Sequence, residues 1–469
     1  MSRGRVEYIN QTNFVPNPEK VLIISPPRDV YENDPLSNRE ACLTDEGLID
    51  GFAEYNTNIP KEWRFSTAQK DYGFAFLEAN VVGPTYLHYS YDKTITEHLE
   101  SGKYEVLAIS ALTWTLPWAL DLARKAKSKY GFKEVWLGSY AVMTDEPQIK
   151  EVFDRLFWGY SEDELNKAIG KGPILKDDIR HPDLTTRASW LGRTTKVGHL
   201  LFRRGCSNKC TYCADPAFVP GGDHPLSIEA IERILDYYIE NGIRSVYISN
   251  QDTNLFDSVG SKVLKAITQR GLSFGMLTSF HSLAFCGEDG IKELRDRGLT
   301  FLLIGLETLN DTNIEKTKRR ANHDFMVRTL SLLRKLNVSV TTTYMICFED
   351  DTEESIREAK KKIIDLGVTV SLFNITMPLP GTPMYWSYKQ QGIITDWNWT
   401  HWTGNYLVWK HPCISPEKAK ELLMEIRYEV NVPDTNPTLK CQWERSLKKQ
   451  STSSLLIQPE MDMRTHIIL

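Results

Sequence analysis

Three cysteines crowd into Arg203-Arg204-Gly205-Cys206-Ser207-Asn208-Lys209-Cys210-Thr211-Tyr212-Cys213, at C-x3-C-x2-C spacing. Three thiolates in one short loop can bind three corners of a cubane iron–sulfur cluster and leave the fourth iron without a protein ligand. That open iron is the chemically useful position, because a small molecule can be held and reduced there. A structural zinc site would close its fourth position, yet no His or Cys follows within a few residues, His224 lying eleven residues on. The other five of the eight cysteines, Cys42, Cys286, Cys347, Cys413 and Cys441, are scattered. They make no disulfide framework, and the distribution suits a reducing cytosol with one thiolate site.

The loop directly follows the apolar run His199–Phe202 and carries an aromatic, Tyr212, before its last cysteine. In motif and placement it resembles the radical S-adenosylmethionine (radical SAM) enzymes. The resemblance implies a [4Fe-4S] cluster on Cys206, Cys210 and Cys213, with SAM chelated at the open iron and cleaved reductively to a 5′-deoxyadenosyl radical that abstracts hydrogen from substrate. It further implies that Tyr212 stacks near the adenine, although a packed loop aromatic is the alternative. Phe301-Leu302-Leu303-Ile304-Gly305-Leu306-Glu307 resembles the fourth strand of such barrels. Glu307 is then a SAM contact, or else pairs with Lys316 or Arg319. Ser249-Asn250-Gln251-Asp252-Thr253-Asn254 leaves the second strand as a polar turn. Ser249, Gln251 and Asp252 there could meet the ribose, the methionine part or the substrate, and the same turn could equally be a helix cap. Arg203 and Arg204 read as solvated charge, with tuning of the cluster or guiding a reductant as the functional alternative.

These residues need a scaffold that brings strand ends together. Val21-Leu22-Ile23-Ile24-Ser25-Pro26-Pro27 reads as a buried parallel strand stopped by two prolines. Similar runs follow at Phe74–Val82, Val106–Leu112, Val135–Tyr140 and Arg155–Tyr160, with amphipathic stretches such as Trp118–Tyr130 between them. Residues 1–170 are therefore expected to form a doubly wound, Rossmann-like α/β domain. Segment 171–195, rich in Gly, Pro, Asp and Arg, is expected as a linker. A second alternation places strands at His199–Phe202, Ser245–Ser249, Ser273–Ser279, Phe301–Leu306, Ser339–Ile346 and Thr369–Thr376, with helices such as Ile228–Asn241 and Thr352–Leu366. Six βα units over 196–383 fit a partial (β/α)6 barrel, whose ligands gather at the carboxyl ends of the strands. Residues 384–469 carry Trp386, Trp397, Trp399, Trp402, Trp409 and Trp443, expected to pack over the barrel mouth, and Gln450–Ser454 reads as a frayed end.

Composition bounds the function. The 469 residues are 41% hydrophobic and 25% charged, the balance of a globular protein with two or three domains. Lys plus Arg is 56 against 61 for Asp plus Glu, a formal charge of -5 that offers no global field for nucleic acid. No stretch approaches the ~18 consecutive apolar residues of a membrane span, and the N-terminus has no apolar run, so a cytoplasmic protein with neither nucleic-acid nor membrane partner is expected.

The front sheet, Ser110-Ala111-Leu112 and Gly138-Ser139 resemble the cobalamin-binding domain found ahead of some radical SAM barrels, and Met377-Pro378-Leu379-Pro380-Gly381-Thr382-Pro383-Met384-Tyr385 resembles a rigid loop common in that subgroup. In the full pattern a D-x-H-x-x-G loop supplies a histidine to cobalt. Here the corresponding stretch Arg64–Gly73 has no histidine, His88 and His98 stand in other contexts, and Ser139 replaces the second glycine. Cobalamin is therefore possible but not expected, and Trp114, Trp118 and Trp136 are expected to fill the vacated volume as core. The reading from sequence is a radical SAM enzyme acting without cobalamin on a ribosomal precursor peptide or another natural-product precursor, with rearrangement, fragmentation or lyase-type outcome. The resemblance also implies a flavodoxin- or ferredoxin-type electron donor and leaves room for an accessory protein. The rival enzyme is a cobalamin-dependent C-methyltransferase, and the non-enzyme rival is a metal-stabilised binding protein.

Overall fold

The computed structural model describes residues 4–10, 13–27, 49–50, 66–69, 72–190, 193–318, 323–368 and 370–431. Its first sheet grows from apolar runs covered on both faces, and Val21, Leu22, Ile24, Val106 and Leu107 have no exposed surface at all. The strand order is Gly4–Tyr8, Arg155–Gly159, Glu134–Gly138, Val106–Ser110, Val21–Ile24, Thr85–Leu87. Every pair is parallel except the antiparallel edge strand Gly4–Tyr8. From Val21–Ile24 the chain adds Thr85–Leu87 on one side and Val106–Ser110 on the other, so a crevice opens at the carboxyl ends where the order reverses.

The run Phe74–Val82, expected as a strand, is instead part of the helix Tyr72–Asn80. An unbroken apolar run has no period to decide between the two, and Ala75, Leu77, Glu78 and Ala79 favour the helix.

The second sheet holds the six expected parallel strands in chain order, Arg193–Leu200, Ser245–Ile248, Ser273–Ser279, Leu299–Glu307, Ser339–Ile346 and Val370–Ile375, forming the open barrel. Helices between them bury one face each, as in Ile228–Glu240, where Ile231, Ile234, Leu235 and Tyr238 point inward.

Two boundaries differ from expectation. Segment 171–195 contributes a strand: Thr185–Trp190 pairs antiparallel with Arg193–Leu200, because β-branched residues follow the irregular Gly- and Pro-rich part. On its far side Ser66–Gln69 and Ile49–Asp50, from the N-terminal half, extend the same sheet to nine strands. The C-terminal aromatics brace the two halves rather than only cover the barrel mouth. Trp399 Nε1 donates to Glu146 at 3.1 Å, Tyr385 Oη bonds Asp145, and Trp409 Nε1 donates to the carbonyl of Thr376 at 3.0 Å. Trp386 and Trp397 are about half exposed. Cys42, Cys441, Trp443, Arg319 and Gln450–Ser454 lie outside the described residues, as do Arg64, Phe65, Lys70 and Asp71.

Candidate functional site

The cysteine loop leaves the first barrel strand through Arg203–Arg204, which pair with His224–Pro225 as a short antiparallel bridge. Gly205 follows with φ +85°, and a Cβ there would stand 2.5 Å from the carbonyl oxygen of Gly222, so only glycine turns the chain at this point. The loop is tied down by three contacts beyond it and one before it. Asn208 Nδ2 donates to Asp252 at 2.8 Å, Thr211 N–H donates to the Thr317 carbonyl at 3.2 Å, and Met384 N–H donates to the Thr211 carbonyl at 3.0 Å. Arg203 forks onto Asp257 at 2.7 and 3.0 Å, ahead of the first cysteine.

Cys206, Cys210 and Cys213 all border one cavity of about 450 Å³ at the carboxyl ends of the barrel strands. Burial pushes the Cys206 thiol up to about 11 and Cys213 higher still. Thiolates in such surroundings need a compensating positive charge, which coordinated iron supplies. Among the described residues no three His, Cys, Asp or Glu side chains converge as a single metal ion would require. Three separated thiols around a common space fit a polynuclear cluster instead, and the donor set is the soft one that iron–sulfur chemistry uses.

Tyr212, Gln251, Asp252 and Glu307 border the same cavity. Glu307 is aimed there by a bulge: the register with the neighbouring strand shifts between Gly305 and Glu307, and Glu307 itself takes φ +58°. Thr343 Oγ1 donates to its carboxylate at 2.8 Å. Lys316, one suggested structural partner, pairs with Asp350 at 2.5 Å. Asp252 is a hub, accepting from Asn208, from Ser279 N–H at 3.0 Å and Oγ at 3.1 Å, and from Ser282 Oγ at 3.0 Å. It thus positions the loop and the next helix start. Tyr212 meets Phe348 edge-on at 6.3 Å.

Ser249 stands elsewhere. It borders a second cavity, of about 610 Å³, between the carboxyl edge of the front sheet and the barrel. There Ser249 Oγ lies 3.0 Å from His199 Nδ1 and accepts from Tyr72 Oη at 2.9 Å, while Tyr72 Oη approaches the same ring nitrogen at 2.5 Å. Burial pushes His199 down to about 3, so it remains neutral. Gln251 and Leu277 border both cavities and form the wall between them.

The front cavity corrects two expectations. Trp136 is buried at its edge, but Trp114 and Trp118 are only half-buried and do not border it, so the volume is not filled by indoles. Arg204 is not solvated: it is 2% exposed, bonds Glu162 at 2.5 Å, and lies between the rings of Phe76 and Tyr160 at 4.3 Å from each. Arg203 is 12% exposed at its side chain. Ser139 borders the cavity with φ 66° and ψ -166°, a backbone that glycine adopts freely, so the turn of the expected glycine pair is kept although the residue is not. No histidine is among the described residues that border it.

Sequence reasoning missed Tyr140, Tyr160 and Glu162, which reach from the front domain to the cysteine loop. Tyr140 bonds Asp215, two residues past Cys213, and Gln251 Nε2 donates to Tyr160 Oη at 3.1 Å. Both tyrosines follow carboxyl ends of parallel strands, which is the signal that could have found them.

Comparison with known proteins gives three findings. Residues 200–363 match the model of the radical SAM superfamily. Bacteriochlorophyllide d C-8(2)-methyltransferase of Chlorobaculum tepidum is 25% identical over 234 residues, 47% of this chain and 51% of that protein; the C-12(1)-methyltransferase of the same organism is 21% identical over 350 residues, 70% and 75%. The chain thus spans about half the length of the first relative and three quarters of the second. In fold it is similar to the radical SAM methyltransferase TsrM of Kitasatospora setae with cobalamin and [4Fe-4S] bound, at TM-score 0.56 and 13% identity over 86% of this chain and 84% of that one. It is similar also to OxsB with aqua-cobalamin and SAM bound, at TM-score 0.56 and 10% identity over 96% and 83%. Among the described residues no helix is long and apolar enough to cross a membrane.

Proposed function

Because this chain is a radical SAM enzyme whose barrel stands behind a cobalamin-binding-like sheet, we propose that it is a cobalamin-dependent radical SAM methyltransferase acting on a carbon of a peptide or other natural-product precursor. The carrying observation is the pair of cavities that meet at Gln251 and Leu277. One holds the three thiols; the other occupies the crevice of the front sheet, where this fold class binds ligands. The curated relatives that carry the word methyltransferase support the same reading. It replaces the cobalamin-free reaction expected from sequence.

When bound, the cluster with SAM supplies a carbon radical and the corrin a transferable methyl group. The chain's own residues do the rest. Cys206, Cys210 and Cys213 would ligate the cluster, while Tyr212, Gln251 and Glu307 border the space left for SAM. Ser110, Gly138, Ser139 and Gly159 would line the corrin, their small side chains letting a flat, bulky ring approach the strand ends. With no histidine among the described residues of that wall, the corrin would be held by shape and hydrogen bonds rather than by an imidazole on cobalt. Apolar residues make most of the cavity surface, which excludes water from the space between the two groups.

The cobalamin-free reading keeps one observation on its side, the absence of histidine from residues 28–71 as well as from the described residues of the cavity wall. Titration of the full chain, its cluster reconstituted anaerobically, with hydroxocobalamin separates the two. One tightly bound corrin per chain with an altered visible spectrum is expected. A protein that loads its cluster and cleaves SAM but leaves the corrin spectrum unchanged would return the function to hydrogen abstraction alone.

A further inference from the structure

Gln251 spans the wall between the cavities with both ends of its amide engaged. Its Oε1 accepts from the N–H of Gly205 at 3.1 Å, and its Nε2 donates to Tyr160 Oη at 3.1 Å. The amide has one orientation here, since a flipped group would set N–H against N–H. Gly205 immediately precedes Cys206 and has no side chain with which to anchor itself, so this hydrogen bond, with the Tyr160 phenol facing the same N–H, orients the peptide that launches the cysteine loop. Tyr160 in turn is fixed by the buried Arg204 against its ring, and burial keeps its phenol protonated. Tyr160 also borders the front cavity, whose lining does not include the cysteines.

We infer that Tyr160 is a positioning residue for the cysteine loop, acting through Gln251 on the Gly205 peptide, so that what occupies the front cavity is felt at Cys206. A ligand pressed against the phenol alters how it accepts from Gln251, and the same amide borders the space beside the thiols. The part concerning a corrin rests on the methyltransferase reading; the positioning itself does not. Thermodynamic reciprocity then requires that a ligand on the cluster side affect the front cavity to the same extent.

The test is a mutant cycle on the full chain with its cluster reconstituted and no corrin present, using Tyr160→Phe, Gln251→Leu and the double variant. The readouts are the electron paramagnetic resonance spectrum of the reduced cluster with SAM and the dissociation constant of SAM. Losing one hydrogen bond at Tyr160 is expected to shift the spectrum and weaken SAM about five-fold, with iron content and melting temperature kept near wild type. The double variant is expected to lose less than the sum of the two single losses, because both residues act on the one Gly205 peptide. Tyr160→Phe with a wild-type spectrum and affinity, or losses that simply add in the double variant, would overturn the inference. Hydroxocobalamin added to the same proteins gives the second arm. Corrin that alters the wild-type spectrum but not that of Tyr160→Phe supports the coupling; corrin that alters both equally refutes it. Failure of wild type to bind corrin removes the methyltransferase reading and the coupling to it, while the cycle alone still decides the positioning role.

Discussion

Replacing Glu162 by alanine would strip Arg204 of its counter-charge in a place water does not reach. The two side chains are 2% and 3% exposed and 2.5 Å apart, and Arg204 Nε finds no acceptor among the described residues. Breaking such a pair from one side costs about 3–5 kcal/mol, because the remaining ion stays buried and unpaired. Stacking on Phe76 and Tyr160 is present with or without Glu162 and so does not offset this, which leaves the expected loss at about 3–5 kcal/mol. For a cooperative unit of 150–250 residues each kcal/mol lowers the melting temperature by roughly 2–4 °C, so a fall of about 6–20 °C is expected. Differential scanning calorimetry of the apo protein measures it. Replacing both partners at once, Glu162→Leu with Arg204→Met, should recover most of the loss, since two apolar groups leave no stranded charge. A Glu162→Ala protein that melts within 2 °C of wild type, as estimated by the same scaling, would show that water reaches Arg204 and that the pair does not clamp the loop.

Single replacement of Cys206, Cys210 or Cys213 by alanine should abolish iron–sulfur absorbance and SAM cleavage, whereas Cys286→Ala and Cys413→Ala should leave both near wild type; equal loss from all five would refute the ligand assignment. Ser139→Gly should raise the melting temperature by about 2–4 °C, as relief of a strained backbone outweighs the added chain entropy of glycine by about 1 kcal/mol; a lower melting temperature would mean that the serine hydroxyl makes a needed contact. Burial depresses His199 to about 3 and His181 to about 4, so below pH ~6.5 the unfolded chain takes up protons that the native state refuses, and stability falls as pH drops toward those values. Wild-type apo protein should therefore lose about 1.4 kcal/mol per pH unit relative to His199→Gln between pH ~6 and ~4 in urea titrations; a constant difference would show that His199 is protonated in the fold.

The sequence was most legible where period and spacing coincide. The six barrel strands came through because each is a separate short apolar or β-branched run between helical stretches, and the three cysteines because they lie within one loop. The strand at Thr185–Trp190 was hidden because its partners are supplied from both sides, and nothing local in Thr185-Thr186-Arg187 announces a distant edge. Phe74–Val82 was misread for lack of any period. Arg204 looked solvated since its counter-charge, Glu162, is 42 positions away on another domain. The front cavity was least legible: the Trp residues that seemed to fill it are defined by type, but what a side chain fills depends on its direction, and Trp114 and Trp118 do not border the space.

The pairing of Ser66–Gln69 with Thr185–Trp190 sets an order of events during synthesis. Ser66 must wait for Ser189, about 120 residues later, before it has a hydrogen-bonding partner. At ~5–20 residues per second on the ribosome that delay is roughly 6–24 s. During this interval the front sheet can close, since its last strand ends at Gly159, while Ser66–Gln69 has only Ile49–Asp50 beside it and an open edge on the other side. An open strand edge is a template for the wrong neighbour. Nascent chains stalled between residues 160 and 185 should accordingly be more prone to self-association than chains released after the hairpin, and heterologous production should benefit from slower growth or added chaperone at that stage.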